Sequence, residues 1–367
     1  MDLIKNDFDN FKWDYKNKYK DWIIIETSGY RHTFLGRANK SGNHEYIIVT
    51  QIKMNEKYDD ILREIYFYAC CNKNKYFNEV LDVFLSEDNK YIFLILKNEG
   101  INLKDFINYI NNTGYIINVK YIIFQVVNGL KNLHKNNVSH NDLKPSNIII
   151  TNRGKAKIWG FYFTAKVSTV EYGCSNGYYS PQALLGKPRT KEDDMWSIGV
   201  IYLELLKKRI GIFMMQINGE IYYKRELRAR YILENFYDIK IYDQDWNEDI
   251  NYDYIINLIK EDNYNEFESK LKMNLLTDID DSDKEIIKQL LELNPSKRMT
   301  AEQLLNSSAF QVFYHKLLEP EIDYNEINYN EIDYNRYLKN HNPVNLEKFK
   351  EYLEEIKEKF FGIVIFE

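Results

Sequence analysis

Apolar residues in the first hundred positions come in short runs separated by polar turns, a spacing that suits strands. Trp22-Ile23-Ile24-Ile25, Phe34 to Ala38 and Tyr46 to Ile52 read as strands, with Lys40-Ser41-Gly42-Asn43 turning between the last two. The period then changes. Tyr58, Ile61, Leu62, Ile65 and Tyr68 recur every three or four positions, which predicts a helix over 56–70. Tyr91 to Leu96 reads as another buried strand. Beyond Gly100 the pattern is mainly helical. Ile122, Ile123, Val126, Val127, Leu130 and Leu133 form a long apolar stripe, and Met195 to Leu206 is apolar nearly all round, as in a helix buried at the centre of a domain.

Residues 209–281, rich in Tyr, Asn and Asp, read as an insert with little determined structure. Helical pattern returns after Ser282, with Ser282 and Glu285 spaced as a capping box. From Glu321 to Asn335 the chain repeats EIDYN, EINYN and EIDYN, a period that fits no helix face and reads as a low-complexity linker. Leu346, Phe349, Leu353, Ile356 and Phe360 then outline an amphipathic helix, expected with the apolar tail after it to pack on the body.

Bulk composition narrows the function classes. The chain has 367 residues, 44% of them hydrophobic, enough for two lobes or two modest domains. A net charge of −6 argues against a dominant nucleic-acid or membrane-surface role. Cys70, Cys71 and Cys174 form no CxxC pair, and the six scattered histidines have no zinc-ligand spacing. The N-terminal segment has no apolar stretch of signal-peptide type, and no run approaches the roughly 18 apolar residues of a membrane span. A soluble, intracellular and cytoplasmic protein is expected, the nucleus remaining open.

The chemistry concentrates at residues 140–147, His140-Asn141-Asp142-Leu143-Lys144-Pro145-Ser146-Asn147. This string resembles the catalytic loop of eukaryotic-type protein kinases, and other landmarks of that family follow in its order over residues 20–312. Thr50-Gln51-Ile52-Lys53 resembles the third-strand segment, placing Lys53 where the family pairs a lysine with the α- and β-phosphates. Arg63-Glu64-Ile65 resembles the helix whose glutamate braces that lysine. Leu96 falls at the gatekeeper position and Asn98 in the hinge. Ser180-Pro181-Gln182 stands for A-P-E, Asp194 to Gly199 resembles the central-helix segment, and Asn294 to Arg298 resembles the segment with a buried arginine. Features after Lys53 resemble the vaccinia-related and casein-kinase-one-like branch. Those from Ser180 onward resemble the cyclin-dependent and mitogen-activated branch.

The resemblance implies an α+β, bilobal kinase fold: an antiparallel-sheet N-lobe with one helix (20–97) and a larger helical C-lobe (101–312) holding the insert. Residues 1–19 would be an extension, 313–343 the linker and 344–367 the terminal helix and tail. It implies Asp142 as the base for a substrate hydroxyl and Lys144 as a charge-neutralising group of the serine/threonine form. Asn147 would meet a metal ion, and His140, Asp194 and Arg298 would be structural. Nucleotide contacts would come from Lys53, Glu64, Leu96, Asn98 and the phosphate-covering loop, aligned over Ile25 to Thr33 with Ser28 at a glycine position. ATP and Mg2+ are the implied cofactors, and a protein is the implied substrate or partner. Read without the family, Lys53 is an ordinary strand-end lysine and Asp142 a carboxylate kept for loop geometry.

The pattern breaks at the metal. Gly160 stands where the family has the aspartate of D-F-G, and the next carboxylate along the chain is Glu171. A divalent cation wants about six oxygens, and Asn147 supplies one neutral oxygen. Losing the anionic ligand should cost on the order of a thousandfold in rate. Glu26, Ser28 and Arg31 occupy the three glycine positions of the phosphate-covering loop, where backbone N–H groups need close access. Arg31 could itself fill the phosphate site. Gln51 replaces the small residue over the adenine. Asn141 replaces the arginine that would meet a phosphorylated loop, which weakens Ser168, Thr169 and Tyr172 as switches. Gln182 replaces the counter-charge of Arg298. Two functions stay open: a pseudokinase acting as a binding or regulatory module with weakened Mg2+ binding, and a working serine/threonine kinase.

Overall fold

A computed structural model describes residues 19–28, 31–40, 43–54, 58–72, 74–166, 177–217, 220–221, 224–242, 250–314, 350–351 and 353–355. The chain divides into two compact units, one built mainly from residues 1–74 and 78–99, the other mainly from 100–330.

The first unit is a five-stranded antiparallel sheet with one helix. Strands β1 (Tyr19–Ser28), β2 (Arg31–Lys40), β3 (Asn43–Lys53), β4 (Val80–Leu85) and β5 (Tyr91–Lys97) lie in the order β1-β2-β3-β5-β4. Ser28 pairs with Arg31, so β1 and β2 are joined by a two-residue connection. Phe34, Ile47, Val49, Phe84, Phe93 and Ile95 form one core cluster. Ile92 to Leu96 are all buried, which explains why β5 shows an unbroken apolar run where an alternating strand would show polar positions. Helix α1 (Tyr58–Cys71) follows β3 and is buried from Ile61 to Cys71.

The second unit is mainly helical. Three short strands, β6 (Gly100–Asn102), β8 (Ile148–Thr151) and β9 (Ala156–Ile158), form one antiparallel sheet, and β7 (Val138–Ser139) pairs with β10 (Ala165–Lys166). Helices α2 (Leu103–Thr113) and α3 (Val119–Lys135) precede the catalytic-loop segment, and α4 (Pro181–Leu184) and α5 (Lys191–Lys207) follow it. The apolar stripe of α3 is buried from Ile122 to Leu133 at its core-facing positions. Helix α5 starts at a Thr190/Asp193 capping box and is buried from Asp193 to Leu205. A Cβ on its Gly199 would lie 2.7 Å from Leu291 Cδ2, so glycine there permits close packing.

Two sequence expectations change here. The 209–281 stretch contains α6 (Arg225–Phe236), α7 (Tyr252–Lys260) and an antiparallel pair, β11 (Tyr237–Ile241) with β12 (Phe267–Leu271). Ile255 and Ile259 are wholly buried, so the segment has a core despite its polar composition. Helix α8 spans Asp281–Leu290, one residue ahead of Ser282, and its N-cap is Asp280, whose carboxylate accepts from Asp283 N–H at 3.0 Å. Glu285 hydrogen-bonds Gln289 one turn on and does not reach back to the cap. Helices α9 (Ala301–Asn306) and α10 (Ser308–Gln311) follow, with Leu304, Leu305 and Phe310 buried. Of the expected C-terminal helix, residues 350–351 and 353–355 are helical and Leu353 is buried. The repeats at 321–335, and Ser168, Thr169, Glu171, Tyr172 and Cys174, lie outside the described residues. No helix among the described residues is long and apolar enough to cross a membrane.

Candidate active site

In the helical unit, the loop after β7 is held by one carboxylate. Asp194, near the start of α5, is buried and accepts the backbone N–H of His140 at 2.8 Å and of Asn141 at 2.9 Å. His134 of α3 reaches the same carboxylate at 2.9 Å. Burial alone would raise the Asp194 pKa. Hydrogen bonds and charge from His134, with the His140 contacts, outweigh it and hold the carboxyl below its ordinary value.

His140 is fully buried, and desolvation lowers its pKa. Its Nε2 lies 3.1 Å from the Trp159 carbonyl, and its Nδ1 faces the Asp142 N–H at 3.3 Å, which assigns the neutral Nε2–H form. Asn141 sits at φ +65° and donates to the Phe163 carbonyl at 2.9 Å, a backbone position that asparagine tolerates better than most residues. Arg189 donates to the Asn141 carbonyl at 2.6 Å and lies over the Tyr179 ring at 3.7 Å.

These contacts present Asp142, Lys144 and Asn147 together. Asp142 Oδ2 has Lys144 Nζ at 2.9 Å and accepts from Asn147 Nδ2 at 2.9 Å, while the same amide donates to the Asp142 carbonyl at 2.7 Å. Asn147 is thus turned onto Asp142. Gly160 follows β9 with φ +83°, a left-handed conformation that side chains other than glycine and asparagine rarely adopt. A Cβ there would lie 2.8 Å from Asn147 Cγ and 2.9 Å from its Oδ1.

The described residues do not fit the divalent cation of the family. One candidate oxygen is the neutral Oδ1 of Asn147, Asp142 Oδ2 is already engaged by two donors, and the Asn147 carboxamide occupies the space beside Gly160. Among the described residues no cluster of three or more His, Cys, Asp or Glu side chains could hold a metal ion.

The sheet unit holds the remaining candidates. Glu64 is 1% exposed in its side chain and forms a two-pronged ion pair with Arg31, Oε1 receiving one nitrogen at 3.0 Å and Oε2 the other. Lys53 ends β3 exposed to solvent, and among the described residues it has no ion pair with Glu64. The Lys53–Glu64 brace implied by the family is therefore replaced by Arg31–Glu64. The fork of a guanidinium matches a carboxylate in two bonds, which a lysine ammonium cannot do. Ile25 and Ser28 lie on β1, and buried Thr33 on β2 pairs with Glu26 and Thr50. Gln51 is buried between His32 and Phe93 in the strand register, and Leu96 is fully buried on β5 with Asn98 just past the strand end.

Around Arg298 the substitution at Gln182 is accommodated by neutral acceptors. The buried guanidinium donates to Gln182 Oε1 at 3.2 Å and to the carbonyls of Glu292 and Glu192 at 3.0 and 2.8 Å. Desolvation lowers its pKa. Sequence reasoning did not single out His134, Arg189 or Trp159. A lone histidine on an apolar helix, an arginine between two helices and a tryptophan beside a glycine carry no spacing signal, since their hydrogen-bond partners lie 60, 48 and 13 residues away, the last two on backbone carbonyls.

The protein kinase domain model matches residues 38–310, about three-quarters of the chain. Extracellular signal-regulated kinase 2 of Dictyostelium discoideum is 26% identical over 273 residues, covering 71% of this chain and 70% of that protein. Probable cyclin-dependent kinase 8 of the same organism is 37% identical over 144 residues, covering 35% of this chain and 38% of its own. Human cyclin-dependent kinase-like 5 is 27% identical over 199 residues, 52% of this chain and 20% of that one. This chain thus spans well under half the length of the last two relatives. The family uses ATP with Mg2+. With the matched span running from the second strand to α10 (Ser308–Gln311), and the loop at 140–147 built around Asp194, the chain belongs to the protein kinase family, of the eukaryotic serine/threonine type.

Proposed function

We propose that this chain is a kinase-fold binding or regulatory module, a pseudokinase, in which phosphotransfer is weak or absent. One observation carries the reading: at position 160 a glycine in left-handed conformation replaces an anionic ligand, and the Asn147 carboxamide packs into the space beside it. Restoring a carboxylate would therefore require Asn147 to move as well as a side chain to be supplied. The Arg31–Glu64 pair supports the same reading, because it engages the glutamate that the family keeps for its phosphate-binding lysine. A protein is the partner class that the relatives suggest.

The Asp142–Lys144 contact at 2.9 Å favours a second reading, an active serine/threonine kinase. There Asp142 accepts the substrate hydroxyl proton and Lys144 offsets charge on the moving phosphoryl group. Labelled ATP with Mg2+ or Mn2+ and a basic protein substrate separates the two, with Asp142→Asn as control. The expected result is no transfer above that of the control. Transfer that depends on Asp142 overturns the pseudokinase reading.

A further inference from the structure

A cavity of about 330 Å³ opens within the helical unit. Lys131, His134 and Lys135 line it from one face of α3, Lys191 and Glu192 from the start of α5, and Glu302 from α9. Three elements thus bring three ammonium groups and two carboxylates to one space, leaving cations in excess. Lys135 is exposed and has no ion pair among the described residues. Lys191 makes a 3.4 Å hydrogen bond to Asn137, and Lys131 lies 3.6 Å from Glu302. These ammonium groups are weakly committed and can turn to a ligand at little cost.

We propose that this cavity binds a protonated phosphate, either inorganic hydrogen phosphate or a singly protonated phosphate monoester. The lysines supply charge-assisted donors to the oxyanion. Glu192 and Glu302 accept its remaining O–H and repel an oxyanion that has none, such as sulfate. A lining of lysine alone would favour any dianion, and the mixed lining selects for the proton.

The site also touches the support of the catalytic loop. His134 Nε2 lies 2.9 Å from Asp194 Oδ2, which itself accepts the His140 N–H, while Oδ1 accepts that of Asn141. A ligand against His134 therefore acts two hydrogen bonds from the backbone that presents Asp142. Its binding rigidifies that backbone and slows exchange of the His140 and Asn141 amides.

Calorimetric titration of the full chain at pH 6, where about half of a phosphate monoester keeps its last proton, and at fixed ionic strength tests this, with inorganic phosphate, O-phosphoserine and sulfate in separate arms. At least one of the two phosphates should bind where sulfate does not, and the tighter one identifies free phosphate or a phosphorylated side chain as the source. Affinity should fall about tenfold for each lysine removed, in Lys135→Ala and in Lys135→Ala/Lys191→Ala. Lys135→Glu, at an exposed position, gives the same test if the double variant is unstable. Sulfate binding as tightly as phosphate, or binding unchanged in these variants, overturns the site. Amide exchange at His140 and Asn141 that does not respond to bound phosphate overturns the coupling.

Discussion

Asp194 and Gly160 both serve the segment around residues 140–147, and they differ in what they offer it. Asp194 brings a buried carboxylate met by two backbone N–H groups and an imidazole. Gly160 brings no side chain, and a carboxamide from the loop itself packs against it. Support for the loop therefore comes from protein groups, whereas the glycine leaves the space beside it to the Asn147 carboxamide. Keeping Asp142 in place and giving it work are separate physical problems. A backbone anchored by Asp194, Arg189 and His140 will hold Asp142 and Lys144 together whether or not phosphate is transferred.

The sharpest break of this contrast is Asp194→Ala. It leaves two buried N–H groups and His134 without their acceptor, an expected loss of about 3–5 kcal/mol. Asp142→Asn removes a carboxylate bonded to a half-exposed lysine and a carboxamide, and should cost about 1 kcal/mol or less. Urea denaturation of both variants measures the difference. Equal losses would mean that the loop depends on the Asp142 carboxylate as much as on its anchor.

A second carboxylate on α5 sharpens the point by pH. Glu204 is wholly buried and accepts from Tyr178 Oη at 2.9 Å and from the N–H groups of Gly211 and Ile212 at 2.5 and 3.2 Å. Desolvation dominates these bonds and pushes its pKa up to about 7, opposite in direction to Asp194. The signs of the two stability contributions follow. That of Asp194, whose native pKa is lowered, is present above its ordinary value and is lost as pH falls through the native one. That of Glu204 is present below its ordinary value near 4.5 and is lost as pH rises through about 7. Glu204→Gln should therefore stabilise the protein at pH 8 by up to about 3 kcal/mol, with the gain fading toward pH 4.5. Thermal unfolding across pH checks it, and a constant difference would place the effect in packing.

The parts of this fold that were legible in sequence were those with local periodicity or a contiguous motif. The stripe of α3, the all-round apolar α5 and the run in β5 each show their burial in spacing. So does the 140–147 string, whose members meet because they are near neighbours in the chain. The ladder of Tyr237–Ile241 with Phe267–Leu271 was hidden, since its strands are short, half polar and separated by α7. The partner of Glu64 was hidden for a related reason. Arg31 lies 33 residues away, and the motif pointed to Lys53. Motif position says where a backbone goes, and it does not say which of two nearby cations reaches a carboxylate.

The smallest expected effect isolates the Gly160 side. In Gly160→Ala the methyl group meets a φ of +83° and the Asn147 carboxamide at 2.8 Å, two separate penalties. The first, the left-handed conformation, is worth about 1–2 kcal/mol and remains whatever surrounds it. The second disappears if the carboxamide is removed. A double-mutant cycle with Asn147→Ala should therefore show a coupling of about 1 kcal/mol, the double variant being more stable than the sum of the singles predicts. Denaturant unfolding of the four proteins gives that number. Zero coupling would mean that Asn147 swings clear of position 160 at no cost. An aspartate could then be accommodated there, and the contrast with Asp194 would reduce to the identity of a single side chain.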